Sequence, residues 1–87
     1  NAVEISDAVA KVKQIRGVDF NWKDTGRPDT GVIAQEVEAV MPNAVSGTGD
    51  ETRSVAYGKL TALLIQAVKE QQQQIDELKA LIESKAD

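Results

Sequence analysis

Residues 57–85 read YGKLTALLIQAVKEQQQQIDELKALIESK, and the reading of this stretch decides the fold. It contains no proline and one glycine, Gly58, near its start. Leu64, Val68, Ile75, Leu78 and Ile82 fall on one stripe of a helix with 3.6 residues per turn. With Ile75 and Ile82 at heptad position a, Thr61 and Val68 also take a, and Leu64, Gln71, Leu78 and Lys85 take d. Leu60, Ala67, Gln74 and Leu81 then occupy the neighbouring g positions and widen the seam. Such a helix is about 43 Å long, more than the width of a domain this small.

An amphipathic helix at the end of a small domain ordinarily closes that domain's core. Length argues for more here, because the stripe continues past the glutamines into Ile75, Leu78 and Ile82, where a compact head has no surface left to offer. A partner is implied, and a second copy of the same helix is the simplest one. Gln71, Gln72, Gln73 and Gln74 read either as polar layers that fix register or as a solvated spacer. Ile at a with Leu at d leans towards two strands, and these residues leave the strand number open.

Working outward, 87 residues make one small domain whose core is marginal by itself. Only Phe20, Trp22 and Tyr57 are aromatic, so association through the helix is a way to complete the core. The net charge is −4, from 10 basic and 14 acidic residues, with no cluster of lysine and arginine. That argues against nucleic acid or an anionic membrane surface as partner. Cysteine and histidine are both absent, which removes disulfides, thiolate chemistry, the usual zinc sites and histidine-based triads. No metal or cofactor is expected. Neither a signal peptide nor a membrane-spanning run is visible.

Residues 1–14, NAVEISDAVAKVKQ, place Val3 or Ile5, Val9 and Val12 at helical spacing and predict a short amphipathic helix ending near Gly17, with Ser6 or Asp7 as caps for a later start. The abrupt beginning suggests a chain cut from something longer. Val18, Phe20 and Trp22 alternate with Asp19 and Asn21 as in a half-buried strand. Residues 23–30 hold Asp24, Gly26, Pro28 and Asp29 and read as a turn, followed by a short strand over 31–34. Val37, Val40 and Met41 share one face of a two-turn helix over 35–41, which Pro42 stops. Ala44-Val45 and Ser54-Val55-Ala56 predict a small hairpin around the polar turn of residues 46–52. The fold class is therefore α+β: a short N-terminal helix, small β-hairpins with a short helix, and a long C-terminal helix forming a coiled coil. Residues 1–56 would be the head and 57–87 the oligomerisation helix of one domain.

Catalytic candidates are few. Glu36 and Glu38 sit two apart on a short helix and point in different directions, so solvated surface is the default for them. Gly47-Thr48-Gly49 lacks the lysine and helix of a phosphate loop. A Ser–Lys dyad is the device open to a chain without His or Cys, but Ser6, Ser46, Ser54 and Ser84 have no context that would buttress a nucleophile.

Three runs, GVDFNWKDTG (17–26), DTGVIAQEVEAVMPNAV (29–45) and SVAYGKLTALLIQAVKE (54–70), together resemble the C-terminal intramolecular chaperone domain of bacteriophage tail fibres, neck appendages and endosialidase tailspikes. The same domain occurs in a membrane-tethered eukaryotic transcription factor that processes itself. The most specific part is residues 31–42, followed by Val55-x-Tyr57-x-x-Leu60. The resemblance implies a homotrimer that aligns three chains, lets the fibre or β-helical stalk of the same polypeptide fold, and then cuts itself free through a Ser–Lys dyad. It implies a host-cytoplasmic role during virion assembly, with the parent protein in the virion tail. Asn1 matches the residue just after the dyad lysine, and Ile5, Asp7, Ala8 and Val12 match the helix that follows. Nucleophile and base would both precede Asn1, so the chain as it stands should not cleave, and it looks like the released chaperone or a trimmed form of it.

Within the resemblance, Asn1, Gln35 and Glu36 are placed nearest the missing dyad; equally, Gln35 could cap the short helix and Glu36 could be surface. The interface is assigned to Leu64, Val68, Gln71, Ile75, Leu78 and Ile82. Residues 27–29 and 46–52 are loops that could embrace the stalk or be ordinary turns. A plain coiled-coil oligomerisation module, without chaperone or protease role, is the alternative.

Overall fold

The structure, a computed structural model, describes residues 1–47 and 53–85. Its elements follow the expected order: helix α1 (Ala8–Val12), strands β1 (Gly17–Asn21) and β2 (Pro28–Val32), helix α2 (Ala34–Val40), a 3₁₀ turn (Pro42–Ala44), strands β3 (Val45–Ser46) and β4 (Ser54–Val55), and helix α3 (Tyr57–Lys85). The class is α+β. The radius of gyration is 17.5 Å and the extents are 62 × 36 × 17 Å. A compact chain of this length would have a radius of about 12 Å. The excess belongs to α3, which outruns the head.

The helix α1 takes the later of the two anticipated starts. Val3 is 91% exposed and residues 1–5 lie outside any helix, with Ile5 alone among them turned onto the core. Asp7 precedes α1 in the left-handed conformation (φ 53°), and neither it nor Ser6 supplies the anticipated side-chain cap. The buried residue of α1 is Ala8, which packs with Leu60, Leu63 and Ala67 of α3 and with Val37 and Ala44. Three of these six core residues are alanines, so the core is built on close approach of backbones rather than on large side chains.

Strands β1 and β2 pair antiparallel, with Val18 opposite Gly31 and Phe20 opposite Asp29. The sequence reading extends the turn to Thr30 and starts the second strand at Gly31. Instead β2 begins at Pro28, a strand-end position where a missing N–H is cheap, and Ala34 already belongs to α2. The turn is closed by the Gly26 N–H donating to the Trp22 carbonyl at 2.7 Å, with Gly26 at φ 73°.

In α2, Val37 is fully buried, with Val40 and Met41 half-buried on the same side. Pro42 ends the helix and also opens the 3₁₀ turn that carries Ala44 into the core. Strands β3 and β4 pair Val45 with Val55 and Ser46 with Ser54; of the turn expected between them, residues 48–52 lie outside the described residues. The Ala56 N–H donates to the Ala44 carbonyl at 2.7 Å, and α3 departs from this point.

Candidate functional site

The helix α3 has two apolar stripes that serve different purposes. Leu60, Leu63 and Ala67 are buried against the head, and Glu70 continues the same stripe at helical spacing. A second stripe lies about 80° round the helix and holds Leu64, Val68, Gln71, Ile75, Leu78 and Ile82. Its apolar members are open: Val68 is 63%, Ile75 48% and Ile82 66% exposed. This corrects one expectation. Leu60 and Ala67 do not widen the exposed seam, because the head occupies them; Leu81, beyond the head, remains exposed. Ile65, absent from the heptad assignment, is also more than half exposed.

The glutamines continue the helix without a break. Gln72 donates from Nε2 to Asp76 Oδ1 at 2.9 Å, and Gln73 to Glu77 Oε1 at 3.2 Å, each across one turn. Both therefore belong to the solvated side, whereas Gln71 sits in the seam row between Val68 and Ile75.

Where the head's coverage of α3 ends, Glu70 reaches across to α1. Its Oε2 accepts from the Ala8 N–H at 2.7 Å and its Oε1 from the Val9 N–H at 3.1 Å. A carboxylate spanning two amides at a helix start does the work of a cap, with the charge assisting both bonds. The cap absent from Ser6 and Asp7 is thus supplied from 61 and 62 residues away in the chain. Lys69 adds a looser tie, its Nζ lying 3.6 Å from Glu4 Oε2. Residues 4–6 run along α3 beside Gln66, Lys69, Glu70 and Gln73. Sequence reasoning overlooked Glu70; the available signal was a carboxylate at the end of an otherwise apolar stripe.

Of the residues placed near a dyad, Asn1 and Gln35 are exposed. Gln35 does not cap α2, whose N-cap is Ile33 with no side-chain bond. Glu36 is paired. Its Oε1 accepts from the Arg16 N–H at 3.0 Å, and its Oε2 from Arg16 Nε at 2.8 Å, with Nη2 also at 2.8 Å. The backbone hydrogen bond from Arg16 holds the Glu36 carboxyl below the usual carboxylate range; desolvation opposes it, and the Arg16 guanidinium adds to the lowering. Glu36 therefore bolts the start of α2 to the chain entering β1. Glu38 points elsewhere, with Arg53 Nε 3.5 Å from its Oε1. Among the described residues no hydrogen bond joins Asn1 to Gln35 or Glu36, or any serine to a lysine.

The hairpin β1–β2 also gathers the chain's three aromatic side chains. Phe20 and Trp22 pack edge to face with centroids 5.2 Å apart, and Trp22 donates from Nε1 to Asp29 Oδ2 at 3.1 Å. Tyr57, at the start of α3, closes the same open cleft. A Cβ on Gly31 would stand 2.8 Å from the Tyr57 hydroxyl, the far end of a half-exposed side chain that would have to shift.

Against this architecture the family model described as chaperone of endosialidase matches residues 1–46, the stretch from the N-terminal segment through α1, the first hairpin and α2 to β3. The chain belongs to that family. As a chaperone of endosialidase domain it is similar to curated tail-fibre proteins as well. The long tail fiber protein Gp37 of Enterobacteria phage M1 is 33% identical over 72 residues, covering 79% of this chain and 27% of that protein. The corresponding protein of Enterobacteria phage Ox2 matches to the same extent. The chain thus spans about a quarter of the length of these relatives. Among the described residues of this chaperone of endosialidase domain, no helix is long and apolar enough to cross a membrane.

Proposed function

We propose that this domain is a trimerisation and folding chaperone for a phage tail fibre or tailspike, acting on the stalk of its own polypeptide. Family membership supports the chaperone role, and the similarity to tail-fibre proteins supports the client. The single observation that carries the association is the open stripe on α3, where four large aliphatic side chains beyond the head (Ile75, Leu78, Leu81, Ile82) stand about half exposed or more. Such a row costs solubility unless something covers it. Copies of the same helix match it in length and pattern, and three strands is the number that the resemblance implies.

Association would hold three stalk ends together and convert a three-body encounter into local zipping. A Ser–Lys dyad in the parent chain ahead of Asn1 would then cut the stalk free, leaving it trapped in its folded form. This would take place in the host cytoplasm during virion assembly. Sedimentation equilibrium tests the core of the reading: a trimer mass at micromolar concentration is expected, and a concentration-independent monomer overturns it. Restoring the upstream residues should give two bands, and replacing the upstream serine by alanine should leave one. A plain coiled-coil module would also form the oligomer, but the parent fibre would fold normally without it.

A further inference from the structure

The clamp between Glu70 and the start of α1 sits where two parts of the molecule meet. Towards the C-terminus, α3 projects beyond the head with its exposed stripe. Towards the N-terminus, residues 1–7 lead away from α1 with no secondary structure to fix them. Glu70 lies on the head-facing stripe, turned away from the seam, and both of its oxygens are engaged by α1 amides. Val3, four residues ahead of Asp7, is open to solvent, and the backbone at Asp7 is in a conformation that a non-glycine residue adopts at some cost. Ile5 packs against the core, Lys69 ties Glu4, and Glu70 fixes the amides of Ala8 and Val9 where the stretch enters α1; the hydrogen bonds and ion pair among these contacts all come from α3.

We infer that Glu70 is a coupling residue: it transmits the geometry of associated α3 helices to the chain arriving at Asn1, so that association fixes where the preceding polypeptide emerges. This rests on the oligomer reading of α3 and adds to it the side chain that makes association useful to a client. A templating domain needs such a link, since helices can associate perfectly while a loosely tethered client stays out of register. Charge-assisted bonds suit the purpose because they are short, directional and independent of the apolar seam. Gln at this position would offer one acceptor where two donors wait, and Ala would offer none.

Spin-label distance measurements test the inference directly, since the chain has no native cysteine. Labels on Val3→Cys and Glu83→Cys in one chain, diluted with unlabelled protein, report the path of the N-terminal segment relative to α3. A sharp distance is expected, broadened by Glu70→Ala and partly by Glu70→Gln. Labels on Val3→Cys alone then report distances between copies, which should be sharp in the parent background and lose their peak in Glu70→Ala, while Glu83→Cys pairs between copies keep theirs. A sharp Val3 distance between copies in Glu70→Ala overturns the coupling. Loss of the Glu83 peak in the unmutated background would instead overturn the oligomer reading, and the within-chain distance would still judge the clamp. If Glu70→Ala does not fold, inserting Gly-Ser-Gly-Ser between Val3 and Glu4 with Glu70 intact should leave the Val3 peak sharp only if the inference is wrong, for labels placed on the Asn1 side of the insertion.

Discussion

The two halves of α3 are built from similar residues and live in different surroundings. From Tyr57 to Glu70 the helix is a wall of the head: Leu63 is 1% exposed and Leu60 and Ala67 are buried with it. From Gln74 to Lys85 no element of the head among the described residues covers it, and Ile75, Leu78, Leu81 and Ile82 stand open. Apolar patterning alone does not separate these cases. What separates them is that the head is only as tall as α1 and the two hairpins, and its reach ends at the Glu70 clamp. One helix therefore carries a stripe that builds the head and, beside it, the open stripe proposed for association, and substitutions on the two should have opposite signatures.

The sharpest way to break that contrast is to place a charge on the open stripe. Leu78→Asp or Ile75→Asp is expected to dissociate the proposed oligomer, because each copy would bury an unpaired carboxylate at about 3–5 kcal/mol. The head should stay folded, since neither residue touches it. Sedimentation equilibrium together with near-ultraviolet circular dichroism of Trp22 and Tyr57 reads both halves of the expectation. An unchanged mass would show that the seam lies elsewhere on α3.

The converse variant lies on the buried stripe. Leu63→Ala removes the largest fully buried side chain of the α3 face and should cost about 2–5 kcal/mol of head stability. That is a large share of what a domain this small possesses. Urea unfolding at fixed protein concentration measures it, and a loss below about 1 kcal/mol would mean that the head collapses around the gap. Because the seam is untouched, helices that remain folded should still associate.

The extent of the long helix was legible because nothing interrupts its period: no proline, one glycine at the start, and apolar residues that hold their spacing to Ile82. The α2 face was legible for the same reason, through Val37, Val40 and Met41. Other features depended on contacts that no local pattern announces. The register of β2 moved to Pro28 because its pairing with Asn21 is decided by the partner strand, while propensity argued for a turn. The head stripe of α3 reads as a wider seam in sequence alone, since Leu60 and Ala67 look alike whether a head or a second helix covers them. The cap of α1 comes from Glu70, far along the chain, although Ser6 and Asp7 are local caps by residue type. Glu36 was singled out through the resemblance, but its bond to Arg16 joins two segments whose proximity only the fold creates.

The smallest expected effect concerns that bond and sharpens the contrast from the head's side. The Arg16 amide and guanidinium favour the ionised form of Glu36 and lower its pKa in the folded chain. A group whose pKa falls on folding stabilises the fold at pH values above its unfolded pKa, and that contribution disappears as pH drops through the lower folded value. The melting temperature of Glu36→Gln should therefore lie slightly below that of the parent at neutral pH. The gap should close as the pH falls through the lowered folded value, where the parent's carboxyl is protonated as well. Since Arg16 is mostly exposed, 0.5 M salt should narrow the gap at neutral pH too, because bulk ions screen the guanidinium at about 4 Å Debye length. A gap that ignores both pH and salt would assign the role of Glu36 to the shape of its side chain, and the bolt between α2 and β1 would then be steric rather than ionic.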